Sequence, residues 1–332
     1  MRRVLRGIGF LIALLLVAVG ALYVGTMGEY PVPATVTDDP ALPRIEVGGV
    51  TLHSESFGDP ANPAIVVLHG GPGADYRSLL PLQALADSYH VTFYDQRGAG
   101  LSERVPAEAL TLQTHLAELD GVLDLVSPDA PAILIGHSWG AMLASAFLGA
   151  HPDRVAAAVL IEPGFLSAVE AEAWGTRSQE IIRQPVMLWR GLRTGFESAH
   201  VDGPDEAAAQ DYLIGRMMGY FASDPLTGYA CPGESYDSPS WRAGGIAGQA
   251  VSSRAGPAGF DALGGNALRF SGPVLLIAGA CSTWIGEDHQ RGHLPLYSDA
   301  RLAVIPDAGH DTVDDAPGAV LSEIRSFLGA GN

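Results

Sequence analysis

Five consecutive residues, Gly136-His137-Ser138-Trp139-Gly140, set a serine between glycines in the spacing GxSxG. A serine hydroxyl becomes a working nucleophile only where a base takes its proton and fixed donors receive the charge that develops on the substrate oxygen. The apolar run 132–135 ahead of it reads as a buried strand, and Trp139–Ala150 behind it reads as a helix. Ser138 therefore sits on a strand-to-helix turn, where small neighbours let backbones approach and free N–H groups at the helix start favour negative charge. Two other groupings could bind or bond. His289 and His293 stand four apart, as metal ligands on a helix do, but HExxH is absent and no third ligand is identifiable, so they read as exposed helix residues and no metal site is expected. Cys231 and Cys281 are too far apart for a CxxC motif; they form either one disulfide pinning two segments together or two unrelated buried thiols.

The composition narrows the chemistry further. All 19 basic residues are Arg, set against 37 acidic ones, so the 332-residue chain carries a formal charge of −18. Without Lys there is no Schiff-base enzyme, no pyridoxal-phosphate enzyme of the usual kind and no P-loop. A charge of this sign repels nucleic-acid phosphates, so no nucleic-acid partner is expected. With 47% hydrophobic and 17% charged residues, the chain can bury a large core.

The elements that must hold Ser138 follow from apolar periodicity. Val50–Phe57 alternates like a strand, and the runs 64–69, 91–94, 132–135, 156–161, 274–278 and 302–305 read as buried strands. Longer amphipathic stretches at Leu112–Val126, Trp139–Ala150 and 316–328 read as helices. That alternation is the signature of an α/β fold with a mostly parallel sheet covered on both faces. It breaks between 164 and 270, where helical pieces mix with Gly- and Pro-rich turns, so 44–163 and 271–332 form the expected core and 164–270 an inserted helical cap. Ahead of the core, Arg2, Arg3 and Arg6 precede 22 uncharged residues, 7–28. As a helix these span about 30 Å, enough for one transmembrane anchor. A cleaved signal peptide is the competing reading, although the small-residue pattern Val19-Gly20-Ala21 lies inside the apolar run. The arginines place the N-terminus in the cytoplasm and the rest of the chain outside, periplasmic or extracellular, and secreted if the segment is removed. Residues 29–43, with Pro31, Pro33, Pro40 and Pro43, read as an extended tether.

Three motifs, His69-Gly70-Gly71-Pro72-Gly73, Asp95-Gln96-Arg97-Gly98-Ala99-Gly100-Leu101-Ser102 and the Ser138 turn, make the chain from about residue 44 onward resemble the α/β-hydrolases, specifically the proline iminopeptidase branch. The resemblance implies the α/β-hydrolase fold, an oxyanion hole made of the Gly71 and Trp139 N–H groups, and a base in the loop after the last strand, which is His310. His69 and His137 belong to the turns themselves and read as hydrogen-bonded structural residues. The 95–102 segment reads as a structural turn shaping the pocket floor. At the acid the sequence departs from the family: where Gly-x-x-Asp usually follows the strand 274–278, this chain has Gly279-Ala280-Cys281-Ser282. A histidine that becomes imidazolium in the transition state needs a carboxylate to fix its tautomer and balance its charge. Glu162, 24 residues after Ser138, ends the strand 156–161, and some α/β-hydrolases, certain haloalkane dehalogenases among them, draw their acid from that strand end. A lone acid closing so apolar a run is costly to bury without a partner. Asp288 and Glu287 are alternatives if the loop after Ser282 folds back.

The implied chemistry is acyl transfer without a cofactor, by a proline iminopeptidase-like aminopeptidase acting on a short peptide or small molecule; a carboxylesterase or lactonase for small apolar esters is the alternative. A nucleophilic serine argues against epoxide hydrolase and haloalkane dehalogenase chemistry, which in this fold uses an aspartate. The cap holds 12 acidic residues and 8 Arg, and none of the acids stands out as an amine-binding group. Trp174, Trp189, Trp241 and the tyrosines between 212 and 236 either line an apolar pocket or form the cap's own core. A non-catalytic binding module at the membrane surface would rest only on the substituted acid position.

Overall fold

The computed structural model describes residues 2–329; Met1 of the N-terminal segment and residues 330–332 at the end of the core lie outside the described residues. Strands β1 (Arg44–Val47), β2 (Val50–Phe57), β3 (Ala64–Leu68), β4 (His90–Tyr94), β5 (Ala132–His137), β6 (Val155–Ile161), β7 (Pro273–Gly279) and β8 (Asp299–Ile305) form one sheet in the order β1-β2-β4-β3-β5-β6-β7-β8. β2 pairs antiparallel with β1 and β4, and every other pairing is parallel. The helices are α1 (Arg2–Gly25), α2 (Leu112–Val126), α3 (Trp139–Ala150), α4 (Ala168–Ile182), α5 (Pro185–Ser198), α6 (Ala208–Ala222), α7 (Gly245–Asp261), α8 (Glu287–His293), α9 (Thr312–Asp315) and α10 (Pro317–Gly329).

Central strands such as Ala64–Leu68 are apolar at every position because both sheet faces are covered. Successive side chains point to opposite faces, so Val66, Leu68, Leu134 and Leu160 pack with Leu119, Leu143 and Phe147 of α2 and α3. Ile65, Val67, Ile135 and Ile277 enter the other core with Leu82, Leu85 and Ile324. Helix α3 starts directly where β5 ends, at a crossing that leaves no room for side chains. A Cβ on Gly140 would stand 2.1 Å from the Leu68 carbonyl oxygen, and one on Gly136 would stand 2.4 Å from that of Gly140. Those two glycines let the turn close.

Between 164 and 270 the chain forms α4 to α7 and no strand among the described residues. This helical layer is fastened to the sheet layer by buried charge: Arg242 pairs with Asp205 and Asp211, and Arg104 reaches Asp211 from the segment after β4. Residues 29–43 are not a free tether. Val36 is buried and donates to the Leu101 carbonyl at 2.8 Å, and the Pro33 carbonyl accepts from Arg242 Nη1 at 2.8 Å. The prolines prevent a regular ladder, and the strap instead satisfies its backbone through single bonds to residues distant in sequence. Upstream, Leu5–Gly25 has a mean hydropathy of 2.6 with none of it buried, long and apolar enough to cross a membrane or act as a signal.

Cys231 and Cys281 form a disulfide across a sequence separation of 50, tying the segment after α6 to the loop after β7. Closing a loop of this length removes about 4 kcal/mol of chain entropy from the unfolded state. Reduction, or the double variant Cys231→Ser/Cys281→Ser, is expected to lower the melting temperature by roughly 5 °C. Calorimetry with and without reductant measures this, and an unchanged midpoint refutes it.

Candidate active site

Four strand ends converge on one point. Ser138, between β5 and α3, adopts φ 53° and ψ −116°, a conformation rare for an L residue and held here by its N–H bond to the Ile161 carbonyl at 2.8 Å. Glu162 directly follows β6, also with positive φ (44°), and its N–H donates to the Ile277 carbonyl at 3.0 Å. Its side chain is fully buried: Oε1 accepts the Gly279 N–H at 2.8 Å, and Oε2 lies 2.8 Å from His310 Nδ1. His310 comes from the loop after β8. Its N–H donates to the Tyr229 carbonyl at 2.7 Å, its own carbonyl accepts from His137 Nε2 at 2.8 Å, and the Tyr229 ring stacks on the imidazole with centroids 4.4 Å apart. A carboxylate at Nδ1 fixes the proton there and leaves the Nε2 lone pair for a hydroxyl.

Ser138, His310, Gly71 and Trp139 line one cavity of about 470 Å³. Among the described residues the N–H groups of Gly71 and Trp139 have no acceptor, as donors to a developing oxyanion must. The Trp139 indole donates to Gln96 Oε1 at 2.9 Å. Gln96 in turn donates from its backbone to His69 Nε2 and from its side chain to the His69 carbonyl, so the two turns flanking the cavity are locked together. Burial lowers the His310 pKa to about 4 against the opposing charges of Asp311 and Asp315, so the imidazole is neutral at pH 7. Burial also raises the Glu162 carboxyl, opposed by the Gly279 N–H.

Other expectations need correction. Asp288 and Glu287 are exposed on α8, where Glu287 pairs with Arg291, and neither lines the cavity. The 95–102 segment lines none of the cavity and shapes it only from behind, where Gln96 holds the His69 and Trp139 turns; Asp95 accepts the N–H groups of Tyr76 and Leu101 and meets His53 Nδ1 at 2.8 Å. His289 and His293 are not simply exposed. His293 is buried, with Nε2 3.3 Å from both oxygens of Glu170, and one ligand atom from each of these three residues lies within 4.8 Å of the others. The trio could hold a cation; as placed, the Glu170 carboxyl and the His293 ring are in hydrogen-bonding contact and fasten α4 to α8. Glu170 lies more than a hundred residues upstream of the histidines, which hid it from a spacing search. Of the cap aromatics, Trp174, Tyr229 and Tyr236 line the cavity, Trp189 is exposed, and Trp241 packs edge-on against Tyr76. Sequence reasoning also missed Asp75, a cavity-lining carboxyl from the glycine turn raised to about 7 by burial and by the Asp95 charge.

A profile of the α/β-hydrolase fold matches residues 63–317. The chain belongs to the α/β-hydrolase family. Over 115 residues it is 39% identical to an epoxide hydrolase A of Mycobacterium tuberculosis, covering 34% of this chain and 35% of that protein. Over 147 residues it is 33% identical to a proline iminopeptidase of Heyndrickxia coagulans, covering 44% of this chain and 49% of that protein. The chain thus spans half or less of the length of these relatives. Among solved structures, Est816, an N-acyl homoserine lactone degrading enzyme, superposes with a TM-score of 0.61 at 20% identity, covering 86% of this chain and all of that one. A proline iminopeptidase of Mycobacterium smegmatis gives 0.58 at 20%, covering 87% and 98%. These structures share the fold, and hydrolysis is the activity common to the family neighbours.

If His310 serves as a base it must be deprotonated to act, so its lowered imidazole pKa would move the acid limb of the rate profile downward. For this α/β-hydrolase the His310–Glu162 pair titrates as a unit, and burial of the imidazole is expected to place the acid limb of kcat/KM below the ordinary histidine value. A limb centred at or above the ordinary histidine value would contradict the buried setting of His310.

Proposed function

We propose that the protein is a serine hydrolase working through an acyl-enzyme. Ser138 Oγ attacks a carbonyl, His310 takes its proton and returns it to the leaving group, Glu162 holds the histidine tautomer and balances its charge, and the Gly71 and Trp139 N–H groups bind the oxyanion. Water activated by the same histidine then releases the acid. The observation carrying this reading is the 2.8 Å bond from His310 Nδ1 to the buried Glu162 carboxylate in a histidine that shares a cavity with Ser138. The carboxylate usual after β7 is absent, and Glu162 supplies its charge from β6. A serine at the elbow also separates this chain from its epoxide hydrolase relatives, whose chemistry in this fold needs an aspartate to form an alkyl ester.

The cavity wall favours an ester or lactone with an apolar acyl group. Met142, Phe165, Trp174, Met217, Phe221 and Phe260 surround the space in front of Ser138. Asp75 is the one carboxylate on that wall among the described residues, and both its oxygens are engaged: Oδ1 accepts the Arg77 N–H, and Oδ2 accepts those of Trp241 and Arg242. A free N-terminal amine would need a carboxylate presented to the cavity, whereas Asp75 is buried and turned to three backbone N–H groups. The aminopeptidase reading remains the second, supported by the three motifs and by the proline iminopeptidase relative. The substrate in either case is a small molecule or short peptide. We further read α1 as a membrane anchor that leaves the hydrolase domain exported, because three arginines precede the apolar run.

The full chain in detergent, with Ser138→Ala as the blank, is expected to give a higher kcat/KM on a short p-nitrophenyl ester than on a prolyl anilide. A ratio favouring the anilide would establish the aminopeptidase instead. Glu162→Gln is expected to cost about 10³- to 10⁴-fold in kcat by leaving the histidine in the wrong tautomer. Retained activity in that variant would remove Glu162 from the mechanism.

A further inference from the structure

Helix α5 buries Met187, Thr194 and Glu197, whereas Leu188, Trp189 and Leu192 on its other side are 60%, 55% and 52% exposed. The spacing i, i+1, i+4 gathers these three on one helix face, and Val186 and Ile182 extend the exposed apolar surface. The polar side is satisfied inward, with Glu197 accepting from Arg193 Nε at 2.8 Å and from the Tyr212 hydroxyl at 3.2 Å. An exposed apolar face of this kind marks a contact with an apolar partner. Two further observations identify the partner. Along 182–194 the chain carries Arg183, Arg190 and Arg193 and no acidic residue, a locally basic stretch in a protein of net charge −18. The apolar helix α1 ends beside it: His200, two residues past α5, donates from Nε2 to the Tyr23 carbonyl at 2.9 Å, and the two rings lie 4.3 Å apart. The same surface also reaches the cavity, because Ile182 lines it while half exposed, and Met187 of α5 lines it from within.

We propose that α5 beds its Leu188–Trp189–Leu192 face into the headgroup region of an anionic bilayer beside α1, and that the Ser138 cavity draws an amphiphilic ester by its acyl chain from that bilayer. The second half rests on the serine-hydrolase reading; the first does not. A helix that exposes aromatic and aliphatic side chains within a basic stretch suits the interface, where Trp favours the headgroup level and basic side chains meet lipid phosphate. An acyl chain already partitioned into the leaflet would meet the Ile182 edge without crossing water.

The test uses the full chain in vesicles of phosphatidylcholine and phosphatidylglycerol carrying brominated acyl chains. Tryptophan fluorescence is expected to be quenched, and Trp189→Phe is expected to abolish most of that quenching; equal quenching in both proteins overturns the bilayer contact. Leu188→Glu/Leu192→Glu is expected to lower kcat/KM about tenfold on a long-chain p-nitrophenyl ester presented in the vesicles, and to leave hydrolysis of p-nitrophenyl acetate unchanged. Equal losses on both substrates, or none on either, overturn delivery from the bilayer. Should no ester be hydrolysed at all, the quenching arm still decides the surface, and the hydrolase reading alone fails.

Discussion

A carboxylate with no solvent exposure must be met by donors on every side, and the Glu162 side chain organises its surroundings accordingly. The Gly279 N–H at the end of β7 takes one oxygen and His310 beyond β8 takes the other. That single group therefore fixes the relative heights of three parallel strand ends and the orientation of the imidazole between them. An unpaired charge in this position would cost several kcal/mol, so structural stability and a correctly presented histidine are the same requirement.

The parts of this arrangement readable from the chain are those where local sequence carries the constraint. The Ser138 turn is visible because a helix starting directly on a strand end leaves room only for glycine at 136 and 140. Glu162 stands out because nothing else in an apolar strand calls for an acid. The central strands are legible because burial on both faces makes them apolar throughout. What escaped is set by contacts between distant residues. Arg242 holds Pro33 across 209 positions, so a proline-rich stretch that looks like a tether is docked. Glu170 meets His293 across 123 positions, turning two apparently exposed histidines into part of a clamp. Helix α5 has a clear apolar face, but periodicity does not say which way that face points.

The pocket joins two layers with different physical demands. On the pocket's sheet side the turns around Ser138 are locked from behind through His69, Gln96 and Trp139, so the groups beside that hydroxyl are set before any ligand arrives. Its roof comes from the helical insertion, where methionine and aromatic side chains provide volume without directional bonds. Rigid chemistry below and adaptable packing above let such a site hold its reaction geometry while accepting acyl groups of different shape. Tyr229 links the two layers, since its carbonyl holds the His310 backbone and its ring stacks on the imidazole, two residues from the disulfide that ties this segment to the loop after β7.

The docked strap between α1 and β1 has a mechanical consequence. A flexible leash lets a domain tumble and sample many distances from its attachment point. Here the Pro33 carbonyl and Val36 are bonded to the domain within a dozen residues of the end of α1, so almost no slack remains. A chain held in a bilayer by α1 would thus be seated at one height and one tilt. For a chain so held, the search for a ligand would be lateral diffusion in two dimensions, with encounter rates set by surface density.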